Sequence, residues 1–179
     1  MRQKTPTITI APFAPSAANP AALSGAWQLA GWQDFDEAVM PALAVLGFAD
    51  AGGFGIVRES GGAECYRIAP DKLWLRADNA EVLSPALALA KAESRLTMLD
   101  ISHARMAISI TGDGAQSLMT RVATIDIAAL TSGTFAQTAI QNIPALIRRN
   151  AGKSFTILTP NTWHQTIHDY LTTNTPART

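Results

Sequence analysis

The chain has 179 residues, 47% of them hydrophobic and 16% charged, with 14 Lys and Arg balancing 14 Asp and Glu. That length can bury a substantial core in one domain or in two intimately packed lobes. The zero net charge, without any basic run, excludes the clustered cations that nucleic-acid backbones require, and no apolar run approaches the ~18 residues of a membrane helix. The single Cys65 excludes an internal disulfide and the usual zinc spacings, and its simplest setting is a reducing cytoplasm. So thin a charge on an alanine-rich chain points to surface covered by another chain, and to self-association when the chain is isolated.

Residues 1–26 begin with Arg2 and Lys4 ahead of an apolar stretch, but Pro6, Pro12 and Pro15 interrupt it. An extended arm lying on a neighbour is expected there rather than a secretory leader. A short strand is predicted at 27–30, ending at Gly31. A helix follows over 35–46, with Phe35, Val39, Leu43 and Leu46 on one stripe and Asp34 with Glu37 as a capping box. Pro41 inside it requires either a later start or a kink. Gly47 ends the helix. Strands at 55–59 and 64–68 flank Ser60-Gly61-Gly62, a hairpin signal. A turn at Ala69-Pro70-Asp71 leads to a strand at 73–76, and a helix then starts either at Asn79 or at Ser84, with Pro85 in its first turn.

The second half repeats this order. A leading strand at 97–102 is expected to pair with a strand at 104–111, in which Met106, Ile108 and Ile110 alternate with polar residues. The helix after Asp113 carries Gln116 as a reciprocal cap and Ala115, Leu118, Met119 and Val122 on its buried side. Strands follow at 135–142, 145–149 and 155–158, with a turn at Asn150-Ala151-Gly152. Asn161 is expected to cap a last helix that buries Trp163, Ile167, Tyr170 and Leu171. Even local text echoes: YRIAPDKLW from Tyr66 resembles FTILTPNTW from Phe155. Two units of strand, helix, three strands and helix, with a period of about 75–80 residues, exceed any solenoid repeat. The expected fold is α+β: two tightly packed lobes of antiparallel or mixed sheet with helices on one side. The divisions are an extended arm at 1–26, a first lobe at 27–93, a second lobe at 94–173 and a tail at 174–179.

Isolated chemical motifs fare poorly. Asp100, Ser102 and His103 contain the residue types of a catalytic triad, but along a strand Asp100 and Ser102 share one face and His103 takes the other. Bonding to nearby backbone is the expected role of the first two. His164 and His168 have the i, i+4 spacing of a metal pair without a third ligand in view. The glycines of Ala51–Gly55 precede a strand, not the helix that a dinucleotide loop needs. Gly112-Asp113-Gly114 opens a helix, yet Asp113 would repel a phosphate. Arg148 and Arg149, consecutive on a strand, face opposite ways, so one must leave the solvent side or pair with something; an ordinary edge-strand role is expected, and Arg148 is the candidate to meet an acid of a partner or of a pocket.

The segment LDISHARMAISITG, Leu99 to Gly112, resembles the Asp-hydrophobic-Ser-His-Ala-Arg segment of the sarcosine oxidase gamma subunit family, whose fold is shared by folate-binding aminomethyltransferases. Thr124 to Ile127 and Gly133 to Thr138 follow in the family's order, and RIAPDKLWL in the first half resembles its Gly-Pro-Asp-Glu-Trp-Leu element, with Ala69 for the glycine and Lys72 for the acid. Aminomethyltransferases need a carboxylate on a strand, in a segment like Val-Ile-Asp-Asp-Leu, to touch the folate ring. Here the stretch reads QNIPALIRR, with Pro144 and Ala145 in those places. Neither side chain can accept a proton or a pterin hydrogen bond.

The resemblance implies a bacterial-type, non-catalytic gamma subunit of a heterotetrameric sarcosine oxidase or a related N-methyl amino acid dehydrogenase, serving sarcosine catabolism and one-carbon metabolism. Its partners would be the large alpha-type subunit together with beta and delta subunits. This chain would bind no cofactor, while FAD, FMN, NAD and tetrahydrofolate belong to the holo-complex. No catalytic, cofactor-binding or metal residue is expected, and Ser102, Thr138 and Arg148 are its candidate pocket or partner contacts. The alternative is a free-standing folate- or pterin-binding module.

Overall fold

The computed structural model describes residues 5–12 and 25–175. Among the described residues ten strands form two five-stranded sheets in which every pairing is antiparallel, with four α-helices. The fold is α+β. The described residues divide into two compact units, one of 25–103 and one of 5–12 with 104–175.

The first unit holds β2 (Gly25–Gly31), α1 (Phe35–Ala44), β3 (Val57–Ser60), β4 (Ala63–Ala69), β5 (Lys72–Ala77), α2 (Ser84–Ala92) and β6 (Leu96–Asp100), in the sheet order β3-β4-β5-β2-β6. The second holds β1 (Thr7–Pro12), β7 (Arg105–Thr111), α3 (Ala115–Val122), β8 (Phe135–Ile140), β9 (Ile143–Arg149), β10 (Phe155–Pro160) and α4 (His164–Thr173), in the order β8-β9-β10-β7-β1. The two orders correspond strand for strand. Each sequence repeat is a leading strand, a strand, a helix, three strands and a helix. The leading strands are exchanged: β1, which opens the first repeat, pairs with β7, whereas β6, which opens the second, pairs with β2.

The sequence expectation therefore differs from the structure at both leading strands. Residues 7–12 of the expected arm are a sheet strand, because Ile8 and Ile10 add apolar cover to the core beside β7. Residues 13–24 and the tail beyond 175 lie outside the described residues. The strand at 96–100 pairs with β2 rather than with 105–111, so the first unit extends to 103 instead of ending at 93. The YRIAPDKLW echo also joins unlike elements: it spans β4 and β5, while FTILTPNTW spans β10 and the 3-10 turn Asn161–Trp163.

Each core combines both helices of its unit with the apolar side of its sheet. Phe35, Val39, Leu43 and Leu46 pack on Leu29, Leu73 and Leu75, while Leu118, Met119, Val122, Ile167 and Leu171 pack on Ile108, Ile147 and Ile157. These are the stripes that helical periodicity exposes in the sequence. The expected caps do not form. Asp34 adopts φ 48°, ψ 40° with no capping side-chain bond, and Glu37 reaches Arg95 instead. No side chain caps α3, and Asp113 pairs with Lys153 at 3.1 Å. Both proposed starts after β5 are realised in succession: Asn79 accepts from the Glu81 amide to open a 3-10 turn, and α2 follows with Pro85 in its first turn. Trp163, expected inside, is 49% exposed, because α4 starts only at His164.

Candidate functional site

Of the three candidate contacts, Ser102 lies in the first unit and Thr138 and Arg148 in the second. Ser102 is buried just beyond the end of β6, where its Oγ accepts from the Ala26 amide at 3.0 Å. Its own amide donates to Asp100 Oδ1 at 2.8 Å. Asp100 thus makes the local backbone bond expected from its spacing, whereas the Ser102 hydroxyl bonds backbone far away in sequence.

Thr138 and Arg148 lie on neighbouring strands, but Thr138 is opposite Ala145 and Arg148 opposite Phe135. Those register positions are an odd number of residues apart, so the two side chains leave opposite faces of the sheet. Thr138 Oγ1 lies 2.8 Å from Thr124 Oγ1 on the helix-bearing face. Arg149, the consecutive residue on that same face, holds its guanidinium 4.5 Å from the Phe155 ring centroid. Ser102 belongs to the first unit, and Thr138 and Arg148 leave opposite faces of the second unit's sheet.

The strand that resembles the folate-contacting segment is β9. Pro144 is exposed, and Ala145 is 6% exposed within the second core. Neither position offers a proton acceptor. His164 Nδ1 meets the Asn161 carbonyl and His168 Nδ1 lies 3.5 Å from Asp169, and the described residues hold no group of three or more His, Cys, Asp or Glu arranged to bind a metal. Cys65 is buried, and that burial pushes its thiol up to about 12, so it stays protonated and unreactive at neutral pH. At the opening of α3, Asp113 and Lys153 satisfy one another at the rim of a wide, shallow depression also lined by Gln116, Ser117, Thr120 and Arg121.

A grouping of aromatic and charged side chains around Arg67 was not legible in the sequence. Arg67, near the end of β4, has a side chain only 11% exposed and pairs with Asp36 Oδ1 at 2.5 Å. It also donates to the Pro70 carbonyl. Its guanidinium carbon lies 5.6 Å from the Phe35 ring and 5.5 Å from the Phe54 ring, both within cation–π range. Its Nε is buried without an acceptor, a cost that the other contacts must outweigh. The depression in front of it, about 310 Å³, is lined by Asp34, Phe35, Asp36, Glu37, Arg67 and Pro70. Nearby, Gly52 donates to Asp50 Oδ1 at 2.7 Å and Arg58 pairs with the same carboxylate, holding its pKa below the usual range. The glycine-rich loop at 51–55 is thereby fastened into the turn from α1 to β3, as its place before a strand implies. Phe54 and Arg67 are 13 positions apart with no shared periodicity, and only the fold joins them.

No protein-family model matches the chain, and no curated protein sequence matches it. Among solved structures, one chain of the heterotetrameric sarcosine oxidase from Corynebacterium sp. U-96, in complex with pyrrole 2-carboxylate, aligns over 100% of this chain and 90% of its own, with a TM-score of 0.77 and 18% identity. The glycine cleavage system aminomethyltransferase T from Bartonella henselae aligns over 83% of this chain, with a TM-score of 0.57 and 15% identity, and this chain spans only 43% of its length. The chain therefore shares the fold of a sarcosine oxidase chain and of part of an aminomethyltransferase, as the LDISHARMAISITG segment led one to expect.

Proposed function

We propose that this chain is the gamma-type, non-catalytic subunit of a cytoplasmic heterotetrameric sarcosine oxidase, or of a related N-methyl amino acid dehydrogenase. The observation that carries the proposal is the extent of the likeness. The match covers the whole of this chain and nearly all of one oxidase chain, but less than half of the aminomethyltransferase. The loss of acids at Pro144 and Ala145 supports the same conclusion, because a folate-handling strand without a carboxylate has no group to exchange a proton at the pterin.

In this role the chain packs against a large alpha-type subunit within an assembly that also contains beta and delta subunits. The flavins, NAD and tetrahydrofolate are held by those other subunits. Within the described residues no helix is long and apolar enough to cross a membrane.

The test is co-expression with oxidase-type alpha, beta and delta subunits. A stoichiometric complex with flavin absorbance is expected, and the chain purified alone should leave sarcosine untouched. Sarcosine turnover or tight tetrahydrofolate binding by the isolated polypeptide would favour the free-standing module instead.

A further inference from the structure

We infer that the end of the first unit around Trp32, Phe54, Ile56 and Arg67 is a protein-docking surface for a basic, apolar-bearing face of a different protein. In the assembly proposed above, on which the identity of the partner rests, that protein is another subunit.

Exposed large apolar side chains are unevenly placed. Trp32 is 90% exposed, Phe54 58% and Ile56 47%, and among the described residues all such side chains except Trp163 belong to the first unit. Trp32 lies in the loop between β2 and α1, and Phe54 and Ile56 in the loop before β3. Phe35, which opens α1 directly after the Trp32 loop, and Phe54 both hold their rings within cation–π range of Arg67. Gly31, next to Trp32, is fastened to the Asp71 carbonyl at 3.0 Å. The surface is pre-organised, since the guanidinium is clamped by Asp36 and the Pro70 carbonyl before any partner arrives. An exposed Trp and an exposed Phe together with a fixed Arg are the residue types of an interface hot spot, and prior ordering lowers the entropic cost of binding.

The charge around these residues selects the occupant. Trp32 is followed by Asp34, Asp36 and Glu37, all exposed, and Asp71 is exposed beside them. Arg67 answers Asp36, Arg95 answers Glu37, and Lys72 lies at the start of β5, but Asp34 and Asp71 have no salt-bridge partner among the described residues. Open carboxylates beside an exposed indole recognise a guanidinium or ammonium group, by ion pairing and by cation–π contact together. A second copy of this chain does not meet that requirement through the same patch, because a two-fold contact would set acid against acid.

The experiment uses the full chain in cells that contain its natural partners. Trp32 and Phe54 are replaced in turn by p-benzoylphenylalanine, with Trp163 replaced likewise as the control, and photo-adducts are sequenced by mass spectrometry. The expected result is an adduct from positions 32 and 54, weak or missing at 163, to a Lys- or Arg-rich segment of a different protein. The double variant Trp32→Ser/Phe54→Ser should stay folded with a thermal midpoint lowered by no more than a few degrees, since Trp32 is exposed and Arg67 keeps Asp36, Phe35 and the Pro70 carbonyl when Phe54 is lost. It should also weaken the association by about tenfold or more, as loss of two hot-spot side chains does. If the adduct partner is an oxidase-type subunit, both proposals stand. If it is some other protein met through a basic segment, the surface stands and the subunit assignment falls. If a sarcosine oxidase complex assembles but cross-links only elsewhere, the surface is wrong and the assignment survives. An adduct to a second copy, to an acidic segment, or to nothing overturns the surface.

Discussion

Ser102 Oγ lies 3.0 Å from the amide nitrogen of Ala26, 76 residues earlier in the chain, and 3.4 Å from the carbonyl oxygen of the same residue. The β2–β6 register begins one rung further on, at Trp27 and Asp100. A side-chain hydroxyl thus supplies the acceptor where the ladder has run out, while the Ile101 amide takes the Ala26 carbonyl at 2.9 Å. Because Ala26 is fully buried, Ser102→Ala should destabilise the fold by about 1–3 kcal/mol, the cost of stranding a buried donor. Urea unfolding would measure this. A Ser102→Ala protein with unchanged stability but impaired assembly would return Ser102 to the role of a partner contact.

Pro144 and Ala145 separate loss of chemistry from loss of fold. Pro144→Asp places a carboxylate at an exposed position and should change stability by less than about 1 kcal/mol. Ala145→Asp puts a charge into the second core, where an unpaired buried ion costs about 3–5 kcal/mol. Thermal melts of the two variants, side by side, give the comparison. Restoring both acids would therefore destabilise the fold before it could restore any proton transfer.

Cys65 gives a pH dependence with a definite sign. Its folded thiol is raised by burial from 9.0 to about 12. A raised folded pKa adds stability that is fully present below pH 9 and is lost as pH rises toward 12, because the unfolded thiol ionises first. Stability should therefore fall across that alkaline window with a component that Cys65→Ala removes. Native protein should also resist thiol reagents at pH 8 and react once unfolded.

Gly61 and Gly62 form the two-residue turn between Ser60 and Ala63, with φ of 56° and 85°. Both values lie in the left-handed region that the favoured hairpin turn requires. A Cβ on Gly62 would meet only Val82, at 4.0 Å, so the cost of Gly62→Ala is conformational, about 1 kcal/mol. Denaturant unfolding should show this penalty, and a larger one would mean the hairpin shifts.

The helices and most strands were legible because their periodicity is local: Val39 and Leu43, or Leu118 and Val122, reveal a buried stripe without reference to the rest of the chain. Capping was less legible. Asp34 and Asp113 stand where caps belong, but Asp34 takes a left-handed backbone and Asp113 meets Lys153 from the β9–β10 turn. Strand partnership was not legible at all for β1 and β6, since alternation shows which face a strand buries and not which neighbour it chooses. The Arg67 cluster was hidden for the same reason, as its aromatic rings come from the first residue of α1 and from the loop before β3. Ser102 showed the opposite balance: its bonding to backbone could be inferred from Asp100 two residues before it, but the distant Ala26 could not.

The crossed-over leading strands bind the two halves of the gene product to a common fate. A nascent β1 has nothing to zip against until β7, nearly a hundred residues later, has emerged from the ribosome. Cutting the polypeptide between its repeats would leave each fragment carrying the other's missing edge. Late pairing at such long range slows folding, and it makes the duplication inseparable: neither copy could drift away, be deleted or be borrowed by another protein without unravelling its twin.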